Sequence, residues 1–331
     1  MMLEKRGFSS EKVVIILSSL LLIACTDTTP SGVFDDYLTR VARVQQAPLV
    51  EATANSYIDL ARKRELFIEI PPISIGLLDS YQLRQCGLFH LIAEKNSVLG
   101  KVEDEFRNYD YQRAVLEGLS RCIQSDAIEQ DLKIKLTEIK QQKQAQLHLH
   151  QWNLIYASNA MQQQLKGSQW LDSDLGQTAT VINQALTTLS LAFENKGKET
   201  AQVQEILEKQ PFVGKLNYSL AQATHQLNQV TRQLLVHDQQ IICAENRDKT
   251  KFRYLNNVFE QQYIGRVQPY MAQLDSYYQT LATNLTLFAP QPSIHAYVYP
   301  LEQNHLAFRQ AIRRHVDYWQ SLFKRCGRQV G

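Results

Sequence analysis

The residues best suited to chemistry in this 331-residue chain are eight histidines, five cysteines and 33 aspartates and glutamates. A metal site needs ligands that share a face, and the histidine spacing withholds that. His148 and His150 are two residues apart, so on a helix their side chains diverge by about 200°. His305 and His315 fall on one apolar stripe but lie about 15 Å apart at the helical rise, too far to share an ion. Together with His237 they sit among apolar neighbours, the setting of hydrogen-bonded core histidines. The sequence has no zinc-protease histidine pair, Gly-x-Ser-x-Gly elbow, glycine-rich phosphate loop or paired-cysteine zinc motif. The expectation is no catalytic residue, no metal and no cofactor.

Carboxylates and bases are as quiet. Glu103, Asp104 and Glu105 offer oxygen to a cation, yet acidic residues at a helix start equally serve its dipole. Asp79 and Glu94 are the pair an envelope hydrolase would use if the fold brought them into one pocket. Arg62, Lys63 and Arg64 form one small basic patch. Lys324, Arg325 and Arg328 form another, which suits the end of a last helix, with contact to lipid A or peptidoglycan as the functional alternative. The 35 lysines and arginines nearly balance the 33 acids, so no bulk pull toward nucleic acid or anionic lipid is expected.

The cysteines carry more. Lys5, Arg6 and Lys12 precede an apolar run from Val13 to Ile23, the order of a secretory signal. That run is about half the ~20 residues that span a bilayer. Leu22-Ile23-Ala24-Cys25 resembles a lipobox. Residues 1–24 are therefore expected to be a lipoprotein signal peptide, and Cys25 to carry diacylglycerol and an N-acyl chain such as palmitate. Residues 25–32 would be a polar tether reaching about 26 Å. Thr26, where an aspartate would retain the protein in the inner membrane, favours the outer membrane, although Asp27 follows. Partners would be the membrane, through the lipid, and an envelope protein.

Four further cysteines beyond an export signal imply two disulfides, with free buried thiols as the alternative. Cys86 lies 14 residues before Gly100 and Cys122 lies 18 after Asp104, so helices turning between them bring the two together. Cys326 closes the last apolar stripe. Cys243 lies opposite the seam of its own helix, but Leu235, Val236 and Ile242 suggest a second apolar face there for the tail helix. The pairs expected are Cys86 with Cys122 and Cys243 with Cys326.

The elements that must position these residues are helices. Residues 33–46 read as a short amphipathic helix ended by Pro48. Residues 66–75 alternate like a strand, but Pro71 and Pro72 make them extended chain. Residues 75–99 and 104–123 read as a helical hairpin, and 128–166 as one long glutamine-rich helix. Apolar stripes follow over 175–193, 213–241, 267–281 and 301–326. The fold expected over residues 33–331 is a single all-α domain, an elongated bundle of long antiparallel helices stapled by disulfides. At the hairpin corner, Asn96 and Ser97 disfavour helix interior and Gly100 suits a C-cap. Glu94, Asn96 and Ser97 could instead line a polar pocket.

Three segments resemble one family: IGLLDSYQLRQCGLFHLIAEKNSVLGKV at 75–102, RYLNNVFEQQYIGRVQPY at 253–270 and HVDYWQSLFKRCG at 315–327. It is the bacterial lipoprotein family called domain of unknown function 3080. The resemblance runs from YLTRVARV at 37–44 to Gly327, through Cys86, Asn96, Ser97, Gly100, Cys122, Cys243, Trp319 and Cys326. Lys95 stands where the family motif has arginine. The resemblance implies a Gram-negative lipoprotein with no assigned catalytic residue. The role expected is binding or scaffolding in the envelope, against an enzyme of peptidoglycan or lipid, or a carrier of a hydrophobic ligand.

Overall fold

The computed structural model describes residues 29–55, 57–97, 104–244 and 247–328. Among them every regular element is helical. In order these are α1 (Pro30–Gln45), α2 (Lys63–Leu66), α3 (Leu77–Gln82) running into a 3-10 turn, α4 (Leu88–Lys95), α5 (Glu105–Gln124) and α6 (Gln130–Ala157). Then come α7 (Asn159–Leu165), α8 (Gly176–Phe193), α9 (Ala201–Lys209), α10 (Val213–Val236), α11 (Thr250–Val258), α12 (Gln268–Leu281) and α13 (Leu301–Cys326). A π-helical stretch, Phe259–Val267, joins α11 to α12 without a break.

The seam read from the sequence on α10 is the axis of the main core. Val213, Leu216, Leu220, Ala223, Leu227, Val230 and Leu234 are all 0% exposed. α13 lies beside it and runs the same way, since Asn304 bonds Asn217 (2.8 Å) and Arg325 reaches Asp238 (2.8 Å). That pair is parallel where antiparallel helices were expected, and α12 meets α13 where His305 Nε2 lies against Asp275 (2.7 Å). α1 closes the group. Its Tyr37 bonds His315 of α13 (3.0 Å) and its Gln45 donates to the Leu234 carbonyl (3.3 Å).

His315 is the polar centre of this core. The Thr231 hydroxyl donates to the Leu227 carbonyl, so it accepts from His315 Nδ1 at 2.8 Å. Nε2 is left as an acceptor facing the Tyr37 hydroxyl and the Trp319 indole N–H. Both ring nitrogens of a neutral imidazole are thereby satisfied. At another point helices pack on bare backbone. A Cβ on Gly167 or Gly214 would collide with the other's chain, so the end of α7 and the start of α10 meet there only as glycines.

The described residues between 47 and 76 hold just the single turn of α2 and run as a strap over the surface. Side chains of α10 and α6 tie it down. Gln233 accepts from the Val50 N–H (2.8 Å), and Gln222 accepts from Asn55 (2.7 Å). The Trp152 indole donates to the Leu66 carbonyl (2.7 Å), and the Asn153 carboxamide bonds both the N–H and the C=O of Ile68. Of residues 66–75, read from the sequence as extended chain, Leu66 ends α2 and Phe67 is extended. Residues 67–75 form no regular element, and Ile68 is paired to a side chain in place of a strand.

A second, smaller core lies apart. Leu83, Leu88, Val115, Leu119, Cys122, Ile128, Leu132 and Leu136 bury one another between α4, α5 and the first half of α6. Cys86 and Cys122 form its disulfide, with Cα atoms 5.1 Å apart. Cys243 and Cys326 form the other, at 4.9 Å. Both pairs are the ones expected from the sequence.

Several boundaries differ. α1 begins at Pro30, because Thr29 caps it by accepting from the Gly32 N–H (3.2 Å), so its first turn uses residues assigned to the tether. The first hairpin arm is broken at Gly87, whose φ of +80° ends the 3-10 turn, and α4 stops at Lys95. The helix expected over 128–166 is split by Ser158, which leaves helical geometry and caps α7 through the Met161 N–H (3.2 Å). α10 stops at Val236, so Cys243 lies in the chain beyond it and not on a second helical face. Leu235, Val236 and Ile242, read as core, are exposed.

Candidate functional site

The densest polar chemistry outside the cores lies where α5 crosses α6. α5 starts at Asp104, whose carboxylate accepts from the Phe106 and Arg107 N–H groups (2.8 and 3.1 Å). That cap fixes which face of α5 meets α6. One turn in, Asn108 faces His150 of α6, and the next turn places Gln112 opposite Lys143. The four side chains form one chain of hydrogen bonds. Lys143 Nζ donates to Gln112 Oε1 (2.9 Å), and Gln112 Nε2 donates to Asn108 Oδ1 (3.3 Å). Asn108 Nδ2 then faces His150 Nδ1 (3.2 Å). With the Asn108 oxygen accepting from Gln112, its nitrogen donates to Nδ1 and the imidazole proton sits on Nε2.

The charges around this chain hold the imidazole neutral. Burial, then the Lys143 and Lys95 ammonium groups, bring the His150 pKa down to about 4. Burial, then Lys95, lower the Lys143 pKa as well. Lys95 itself lies over the Tyr111 ring, 5.2 Å from its centroid. His150 and Asn153 floor a cleft of about 320 Å³, walled by Phe67–Ile70 of the strap and by Asp104 and Glu105. Glu105 pairs with Lys63 (3.2 Å). The cleft is thus lined by a neutral imidazole, with no carboxylate bonded to it to make an acid–base pair.

The residues read from the sequence fall around this cleft rather than in it. Glu94, Asn96 and Ser97 are exposed at the end of α4, where the Asn96 N–H bonds the Ile92 carbonyl (3.1 Å) and ends the helix. They act as a helix end, one of the two readings the sequence offered for them, and the cleft described above lies across α5 and α6. Gly100 and Glu103 lie outside the described residues, as does Cys25. Asp79 pairs with Lys135 of α6 (3.2 Å), and it shares no described cavity with Glu94. His305 is a core residue stacked on Tyr278 with ring centroids 3.6 Å apart. Among the described residues no group of three or more histidines, cysteines or acids is placed to hold a metal ion. In the sequence His150 is weighed only as a metal ligand beside His148, and Asn108 carries no signal, because the two pair across helices at positions 42 residues apart. The one local signal is Asp104, which caps α5.

A second concavity, an apolar groove of about 450 Å³, opens where the chain after α12 meets α13. Tyr278, Leu285, Phe288, Val298, Leu301 and Leu306 line it.

Fold and cleft together define an all-helical protein with two cores, stapled by two disulfides. A family model, protein of unknown function (DUF3080), matches residues 34–330, and the chain belongs to that family. No curated protein and no solved structure matches it.

Proposed function

We propose that this protein is a lipoprotein of the Gram-negative envelope, held in the outer membrane by acylated Cys25 and facing the periplasm. Its elongated helical bundle binds or scaffolds an envelope partner. One observation carries the reading: Leu22-Ile23-Ala24-Cys25 stands behind an apolar run and a basic flank. The two disulfides support it, because such bonds persist in oxidising compartments. The cleft at His150 supports a binding role, since it offers recognition groups without an acid–base pair. Among the described residues no helix is long and apolar enough to cross a membrane. A second reading, carriage of a hydrophobic ligand, has the groove after α12 in its favour.

The test is metabolic labelling with a radioactive or clickable palmitate analogue, followed by membrane fractionation. Wild-type protein should label and sediment with outer membranes, and Cys25→Ala should lose both properties. Equal labelling of the two would contradict the reading. In-cell crosslinking on the wild-type background then identifies the partner.

A further inference from the structure

One end of the main body gathers exposed apolar side chains and unpaired cations. The end is defined by contacts. Gln233 holds Pro48 and Val50, Arg232 bonds the Glu51 carbonyl, and Arg325 bonds Asp238 just past α10. The Cys243–Cys326 disulfide ties the following segment to α13, and Arg328 reaches Asn256 and Glu260. On this end Leu49 is 55% exposed, Leu235 58%, Val236 53%, Ile242 50% and Tyr254 56%. Helix ends that pack in a core hide such side chains, and none of these is covered.

The charge at the same end is one-sided. Residues 43–51, 232–260 and 320–331 hold nine lysines and arginines against five acids, whereas the whole chain carries +2. Two of the acids, Asp238 and Glu260, are already paired with Arg325 and Arg328. Arg43, Arg247, Lys249, Lys251, Arg253 and Lys324 make no ion pair with any described carboxylate. Between them, Arg253, Tyr254 and Arg328 edge a hollow of about 480 Å³.

We propose that this end docks on an anionic phospholipid surface, its leucine, valine and isoleucine side chains entering the headgroup boundary while the cations lie over lipid phosphates. Apolar side chains ringed by lysine and arginine are the composition of an interfacial membrane surface. A second copy of the chain would set one cationic end against another. A nucleic acid would leave the aliphatic side chains in water. The docking stands without the acylated Cys25 proposed above, and with it the body gains an orientation. Thr29 and Gln45 are the two ends of α1, about 24 Å apart. A tether at one end and docking at the other lay α1 along the membrane.

The experiment uses the full chain carrying Ile242→Trp, mixed with vesicles whose phosphatidylglycerol has brominated acyl chains. Of the three native tryptophans, Trp152 and Trp319 are 1% and 2% exposed and Trp170 is half-buried, so the parent chain supplies the background. The expected result is quenching of the Ile242→Trp emission with phosphatidylglycerol, little with brominated phosphatidylcholine, and relief at high salt. Replacing Arg247, Lys249, Lys251 and Arg253 by glutamine should weaken the apparent affinity about 1,000-fold. Quenching that ignores headgroup, salt and these substitutions would overturn the proposal, as would none at all. So would a blue shift that grows with protein concentration before vesicles are added, which would mark self-association. The salt titration decides the matter even if the fourfold variant folds poorly. Because quenching is read at residue 242 and acylation at Cys25, failure of one claim leaves the other standing.

Discussion

The two cores of this protein are held by different means. The main core joins α1, α10, α12 and α13 along continuous apolar stripes, with His315 hydrogen-bonded at its centre and a strap pinned over its surface. The smaller core is eight buried side chains and one disulfide between short or half-length helices. A large core survives loss of a staple because its buried area is stabilising in itself, whereas a small one leans on the covalent link. The disulfides close separations of 36 and 83 residues, about 4 and 4.5 kcal/mol on the chain-entropy estimate. Similar energies should thus have unlike consequences.

The largest expected effect follows from that contrast. Cys86→Ser with Cys122→Ser should cost about 4 kcal/mol and open the smaller core alone. Native-state hydrogen exchange would show α4, the second half of α5 and the first half of α6 losing protection while α10 and α13 keep theirs. Uniform loss would merge the two regions into one. Leu227→Ala, at a 0% exposed site on the main seam, should cost about 3 kcal/mol and lower the denaturant midpoint of the whole chain. Leu132→Ala in the smaller core should leave the main transition in place.

A third prediction separates the regions by pH. Burial brings the His315 pKa down to about 3, well below the unfolded value. A proton on Nε2 would face the Trp319 N–H and the Tyr37 hydroxyl, with Tyr263 against the ring, and none offers a negative charge. Its contribution is complete above about pH 6.5 and is lost as pH falls toward 3, because only the unfolded chain takes up the proton. At pH 5 the main core should be about 2 kcal/mol weaker than at pH 7, and His315→Gln should flatten that slope. His150 has the same sign, and its smaller effect should appear in the α5–α6 amides. The smallest effect is expected at the exposed ion pair of Asp79 and Lys135. Asp79→Asn should change stability by less than about 1 kcal/mol in urea unfolding.

What could be read from the sequence was whatever repeats along one helix. The stripe from Val213 to Leu234 needed only periodicity, and the Cys86–Cys122 pair needed only helical rise. Cys243 was matched to Cys326 correctly but for the wrong reason, since α10 ends seven residues before it. The breaks at Gly87 and Ser158 escaped because each is made by a cap, with no proline to announce it. Leu235, Val236 and Ile242 looked like core because hydropathy does not say which end of a helix lies uncovered. The near-neutral total charge hid the basic end for a similar reason, since segments distant in sequence meet there. The cleft at His150 depends on α5 and α6 crossing in one register, which no local pattern encodes.

The central claim is that Cys25 is the first residue of the mature protein and carries its membrane anchor. Mass spectrometry of the N-terminal peptide, taken from protein extracted from cell membranes, tests it most directly. The account predicts a peptide that begins at Cys25 with a diacylglyceryl thioether and an acylated amine. A peptide that runs unbroken through Ala24 and Cys25, or a Cys25 without lipid, would contradict it.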